Sequence, residues 1–181
     1  YTDKFSGKLA TELTPIEARV EHLIPSVHDT LYWIDKSNPT VLKEIPGDSD
    51  AQFTNWETSV QDWWAKNYSK FPLSYPPTKP TEYDDIHIPE KMPKISFDYP
   101  QESESLPKNS QMQVRLSSSS NYPITRVDYF INDIFIGSNK NNLSYTIDLS
   151  SMELSDTNIL RVTVTDTVLN KKDFETTFNA Y

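Results

Sequence analysis

The 181-residue chain has no cysteine, three glycines and three histidines. Without thiols there are no disulfide staples, thiolate metal sites or cysteine nucleophiles. Gly7, Gly47 and Gly137 are the only glycines, and none sits in a phosphate-cradling loop or a nucleophile elbow. Cations are also scarce, with 17 Lys+Arg against 26 Asp+Glu and a net charge of -9. Such a chain offers no basic surface to displace phosphate counterions, which excludes nucleic acid as a partner. No apolar run approaches the roughly 18 residues of a membrane helix, so no membrane span is expected in this chain.

The residues that remain for catalysis are scattered. His22, His28 and His87 fall in separate loop-like settings, without the i,i+4 or acidic partners that a zinc site favours. The acidic pairs Asp48/Asp50 and Asp84/Asp85 read as solvated loop carboxylates. Asp48-Ser49-Asp50 lacks the glycine and distal glutamate of a calcium loop. The expectation is therefore no catalytic residue, no cofactor and no metal.

What is present falls into two halves. Proline and all four tryptophans concentrate before residue 94, and the join at 72–93 is proline-rich. Prolines remove amide donors and push the preceding residue extended, so this join reads as a stiff linker. Beyond it, apolar residues alternate with polar ones: Ile95/Phe97/Tyr99, Met112/Val114/Leu116, Val127/Tyr129/Ile131, Leu143/Tyr145/Ile147/Leu149, Leu160/Val162/Val164 and Phe174/Phe178. Period two is the strand signature. With the run 134–137 added, the expectation is a mainly β fold, a seven-stranded antiparallel Ig-like β-sandwich over 94–181. Asn132-Asp133 is the expected two-residue hairpin turn.

Residues 1–71 read as a largely irregular segment with one amphipathic helix at about 54–67. Thr54-x-x-Glu57 matches a capping box. Phe53, Trp56, Val60, Trp63 and Trp64 fall on one stripe of that helix. Together with Trp33, the aromatic residues Phe53, Trp56, Trp63 and Trp64 are the candidate docking or glycan-contact residues. A docking face is the favoured reading, since sugar-stacking aromatics on sandwich modules usually line strands or loop rims. Tyr99, Tyr122, Phe130 and Phe135 are the aromatics a sugar-binding sandwich would expose; cover by the second sheet or the linker is expected for Phe130 and Phe135.

The stretches DKFSGKLATELTP (3–15), PSVHDTLYWIDKSNP (25–39) and AQFTNWETSVQDWW (51–64) resemble the C-terminal tail of class A penicillin-binding proteins, the bifunctional peptidoglycan glycosyltransferase/transpeptidases. PITRVDYFINDIFIGS (123–138) and LRVTVTDTVLN (160–170) are similar to bacterial Ig-like modules, with Asp133 where glycine is usual. A non-glycine there implies a looser hairpin, at a cost of about 1 kcal/mol. The resemblance implies a fragment that follows a transpeptidase domain of the same polypeptide, outside the cytoplasm in the bacterial cell envelope. It implies anchoring through a membrane helix outside this chain, with peptidoglycan or a cell-wall protein as a further partner. The catalytic formulae of that family are not met. Ser105-Leu106-Pro107-Lys108 has proline where a helix is needed, Ser119-Ser120-Asn121 belongs to a serine run, and K-[TS]-G is absent. A carbohydrate-binding or adhesin Ig-like module of an unrelated surface protein is the alternative.

Overall fold

The computed structural model describes residues 1–22, 26–43, 50–71 and 80–181. In chain order the elements are β1 (Thr2–Asp3), β2 (Arg19–Val20), α1 (Thr30–Trp33), β3 (Ile34–Asp35), β4 (Asn38–Leu42) and α2 (Phe53–Asn67). Eight further strands follow: β5 (Ile95–Tyr99), β6 (Glu104–Leu106), β7 (Gln111–Ser118), β8 (Ile124–Ile131), β9 (Ile134–Lys140), β10 (Ser144–Asp148), β11 (Thr157–Asp166) and β12 (Lys171–Ala180). The chain divides into two compact units. The helical unit holds Tyr1 and Glu21–Thr81, and the sandwich unit holds Thr2–Val20 and Glu82–Tyr181.

The sandwich unit packs a three-stranded sheet, β10-β7-β5, against a five-stranded sheet, β6-β12-β11-β8-β9. Its core is the alternating set read from the sequence. Met112, Val114, Val127, Tyr129, Leu160, Val162, Val164 and Phe178 are fully buried. This is the strand arrangement of an Ig-like or fibronectin-like sandwich, with one difference from expectation. β6 is an eighth strand, paired in parallel with β12, so the sandwich is antiparallel everywhere except at that edge. Three residues are too few to show a period.

The β8–β9 turn has Asn132 at φ 50° and Asp133 at φ 65°, the left-handed pair of a tight hairpin. The expected looseness at Asp133 is offset by anchors on β11. Asn132 accepts from the Ile159 amide at 2.9 Å and donates to Asn158 at 2.9 Å. Arg161 donates to the Asp133 carboxylate at 3.2 Å. Gly137 has a separate reason: a Cβ there would lie 2.1 Å from the Tyr145 hydroxyl, whose ring stacks on Tyr129.

The division of the chain differs from the expected segments 1–71, 72–93 and 94–181. Residues 2–20 and 82–93 belong to the sandwich unit, and 72–79 lie outside the described residues. Backbone pairing explains this: Leu9 donates to Glu82 and accepts from Asp84, at 2.9 and 2.8 Å. In the D-x-x-S-G turn, the Asp3 carboxylate accepts the Phe5 and Ser6 amides, and Gly7 takes φ 70°. His87 then joins this turn to β11–β12, bonding Asp3 at 3.1 Å and Asn170 at 2.6 Å. His87 and Asp84 are buried, which corrects the reading of His87 as a loop residue without acidic partners and of Asp84 as a solvated loop carboxylate. Asp3 and Asn170 lie 84 and 83 residues from His87 in sequence.

Candidate functional site

The tryptophan helix carries the residues singled out from the sequence. α2 spans Phe53–Asn67, one residue longer at its start than expected. The capping box does not form. Gln52 is the N-cap and makes no side-chain cap bond, while Thr54 lies inside the first turn. Glu57 reaches instead to the loop before α1, where it meets His28 Nδ1 at 2.6 Å and accepts the Asp29 amide at 3.1 Å. Gln61 donates to Glu57 and to the Val27 carbonyl, so the helix and loop are stitched by polar bonds. Burial pushes the Glu57 carboxyl up, but the bonds from His28, the Asp29 amide and Gln61 outweigh it and hold the group below its ordinary value.

The covered face of α2 runs through Phe53, Glu57, Val60, Trp64 and Asn67, all half-buried. The expected stripe is therefore rotated, and Trp56 and Trp63 stand 55% and 51% exposed. No residue of the helix is fully buried. The aromatics gather into two groups. At one end Tyr32 stacks on His28 at 3.6 Å and lies against Trp33 at 4.8 Å and Phe53 at 6.3 Å. At the other, Phe71 meets Trp63 and Trp64 at 6.1 and 5.3 Å. Trp56 joins neither group. It lines a shallow hollow of 330 Å³ with Asp29, Ser59 and Val60. Asp29 Oδ1 caps α1 through the Leu31 amide, while its buried Oδ2 has no partner among the described residues.

Sequence reasoning missed Tyr32, Phe71, Asp29 and the His28–Glu57 bond, because loop residues obey no period. Ser26 Oγ lies 2.5 Å from His28 Nε2, so hydroxyl, imidazole and carboxylate stand in line. The Tyr32 ring covers the imidazole face, and the set ties the loop to the helix.

On the sandwich, Phe130 and Phe135 lie on the outer face of the five-stranded sheet, 5.5 Å apart edge to face. Phe130 is half-buried but Phe135 is 55% exposed, so among the described residues the expected cover is absent over Phe135. The Arg161 guanidinium sits 4.1 Å above the Phe130 ring. Ser105 lies on β6, and its neighbour Leu106 is buried in the core. The Asp48/Asp50 pair is half described: Asp50 bonds Lys36 at 2.8 Å, and Asp48 lies outside the described residues. Among the described residues, Asp3, Asp84 and His87 form a group able to hold a metal ion, and no helix is long and apolar enough to cross a membrane.

No protein-family model and no curated protein matches the chain. Among solved structures, the fibronectin(III)-like modules of Clostridium thermocellum CbhA are similar at 13% identity and a TM-score of 0.42, covering 48% of this chain and 94% of that one. The Clostridium perfringens spore cortex lytic enzyme SleM is 15% identical at TM-score 0.34, covering 38% of this chain and 24% of the enzyme. A Bacteroides ovatus mixed-linkage glucan utilization protein, SGBP-B, solved with a heptasaccharide, is 16% identical at TM-score 0.34, covering 49% and 24%. Scores this low say nothing about a ligand for this chain.

Proposed function

We propose that the chain is a non-catalytic Ig-like appendage of a bacterial peptidoglycan synthase of the penicillin-binding type, with α2 as its docking surface. The observation that carries the reading is the exposed pair Trp56 and Trp63, seven residues apart on one line of the helix. The resemblance of residues 3–15, 25–39 and 51–64 to the tail of that family supports the partner, the transpeptidase domain of the same polypeptide. In this reading the protein works outside the cytoplasm, anchored by a membrane helix elsewhere in the polypeptide. Burying the two exposed indoles would contribute roughly 2–3 kcal/mol each to docking.

The test is to read the coding sequence ahead of Tyr1. The reading requires S-x-x-K, S-x-N and K-[TS]-G in that order; a run of further sandwich repeats contradicts it. In parallel, the chain alone is expected to form no covalent adduct with a labelled β-lactam, and acylation would refute the non-catalytic role.

One observation favours a second reading, a glycan-binding module. Trp56 stands beside a hollow that also presents Asp29 and Ser59, an aromatic face next to polar groups. Cosedimentation with purified peptidoglycan, lost in Trp56→Ala, would support that reading over docking.

A further inference from the structure

We infer that Asp3, Asp84 and His87 form a binding site for one divalent zinc-class metal ion, which fastens the N-terminal turn to the sandwich. The three side chains are wholly buried, and their ligand atoms lie within 4.8 Å of one another. His87 Nε2 is 3.1 Å from Asp3 Oδ1 and 3.8 Å from Asp84 Oδ2. Ligands about 2.0 Å from a tetrahedral zinc stand roughly 3.3 Å apart, so both distances suit a shared ion.

The far side of the imidazole fixes what Nε2 must do. Asn170 Nδ2 donates to Asp166 at 3.1 Å, which turns the Asn170 oxygen toward His87 Nδ1 at 2.6 Å. Nδ1 therefore faces an acceptor, which leaves Nε2 facing the two carboxylates of Asp3 and Asp84. Either a proton shared with Asp3 or a metal ion must lie between Nε2 and the carboxylates. A proton there bonds Asp3, but 3.8 Å is too long for a hydrogen bond to Asp84. It also leaves two buried carboxylates sharing one positive charge. A divalent metal held by Nε2 and both carboxylates would offset both charges, and the three ligand atoms lie close enough together to share one ion.

The supporting bonds match those of metal ligands. A metal-bound histidine usually donates its other nitrogen to an oriented acceptor, as His87 does to Asn170. The second oxygen of Asp3 is held by the Phe5 and Ser6 amides, and Asp84 accepts from Thr14 at 2.7 Å and from the Ile86 amide at 2.9 Å. Each carboxylate is thus aimed before an ion arrives. The role is structural, since the residues that would hold the ion come from both sides of the helical unit's sequence.

The experiment titrates metal-stripped full-length chain with zinc by calorimetry, alongside nitrogen-15 NMR of the histidine rings. The expected result is one ion per chain, a metal-bound Nε2 and a protonated Nδ1 on His87, and a raised melting temperature. His87→Gln is expected to abolish this binding. If that variant unfolds, Asp84→Asn keeps an acceptor for Thr14 and is expected to weaken zinc at least tenfold while the sandwich stays folded. The inference is overturned if His87 keeps two N–H protons in excess zinc. Absence of stoichiometric binding, or binding unchanged in Asp84→Asn, overturns it equally.

Discussion

At the scale of single residues, Tyr129 and Glu57 show opposite uses of burial. Tyr129 lies in the sandwich core, where burial pushes its phenol up to about 12, and its hydroxyl has no hydrogen-bond partner among the described residues. Burying an unpaired hydroxyl costs about 1–3 kcal/mol. Tyr129→Phe is therefore expected to leave the sandwich unchanged or to raise its stability by about 1 kcal/mol in urea unfolding, despite the small void. A loss above about 1 kcal/mol would show that the hydroxyl has a partner. Glu57, by contrast, is paid back by three bonds. Its carboxyl is held below the ordinary value, so the stability it adds is present above the ordinary carboxylate range and is lost as pH falls through its folded value. Glu57→Gln should cost the helical unit about 1–2 kcal/mol near neutral pH. That gap should close as the pH falls below the ordinary carboxylate range and through the folded value; a gap that widens there contradicts the assignment.

Among the elements, legibility tracked burial on one face. The strands of the sandwich were legible because β7, β8 and β11 each bury every second side chain, so the core wrote its own period. β6 was not, since a three-residue edge strand leaves no pattern. In α2 the helix itself was legible but its orientation was not. Polar bonds from Glu57 and Gln61 to the loop at 26–29 turn the helix, and they leave Trp56 and Trp63 outward. The partners Asp3 and Asn170 of His87 were invisible because their proximity to residues 84 and 87 is a property of the fold alone. Two variants probe this scale. Asn132→Ala loses a residue tolerant of positive φ and two bonds to β11, and should cost about 2–3 kcal/mol, read as a lower denaturation midpoint of the sandwich. Trp56→Ala with Trp63→Ala should loosen only the helical unit. A matching shift of the sandwich in the same denaturation curve would contradict two separate units.

For the whole molecule, the central claim is that the N-terminal segment belongs to the sandwich. Asp3, Leu9 and Lys8 bond residues 82–87, and the buried chain from Asp3 through His87 to Asn170 and Asp166 closes the joint. A module joined this way carries its N-terminal turn as a fixed part of its structure. Residues 82–93 of the proline-rich stretch are built into the sandwich unit. The measurement that tests this most directly is hydrogen exchange on the full chain, compared with His87→Asn. The amides of Asp3, Leu9 and Ala18, which donate to Lys8, Glu82 and Pro15, are expected to exchange as slowly as the sandwich strands and to speed up in the variant while α2 is unchanged. If those amides instead exchange with α2 in both proteins, the segment belongs to the helical unit and the account fails.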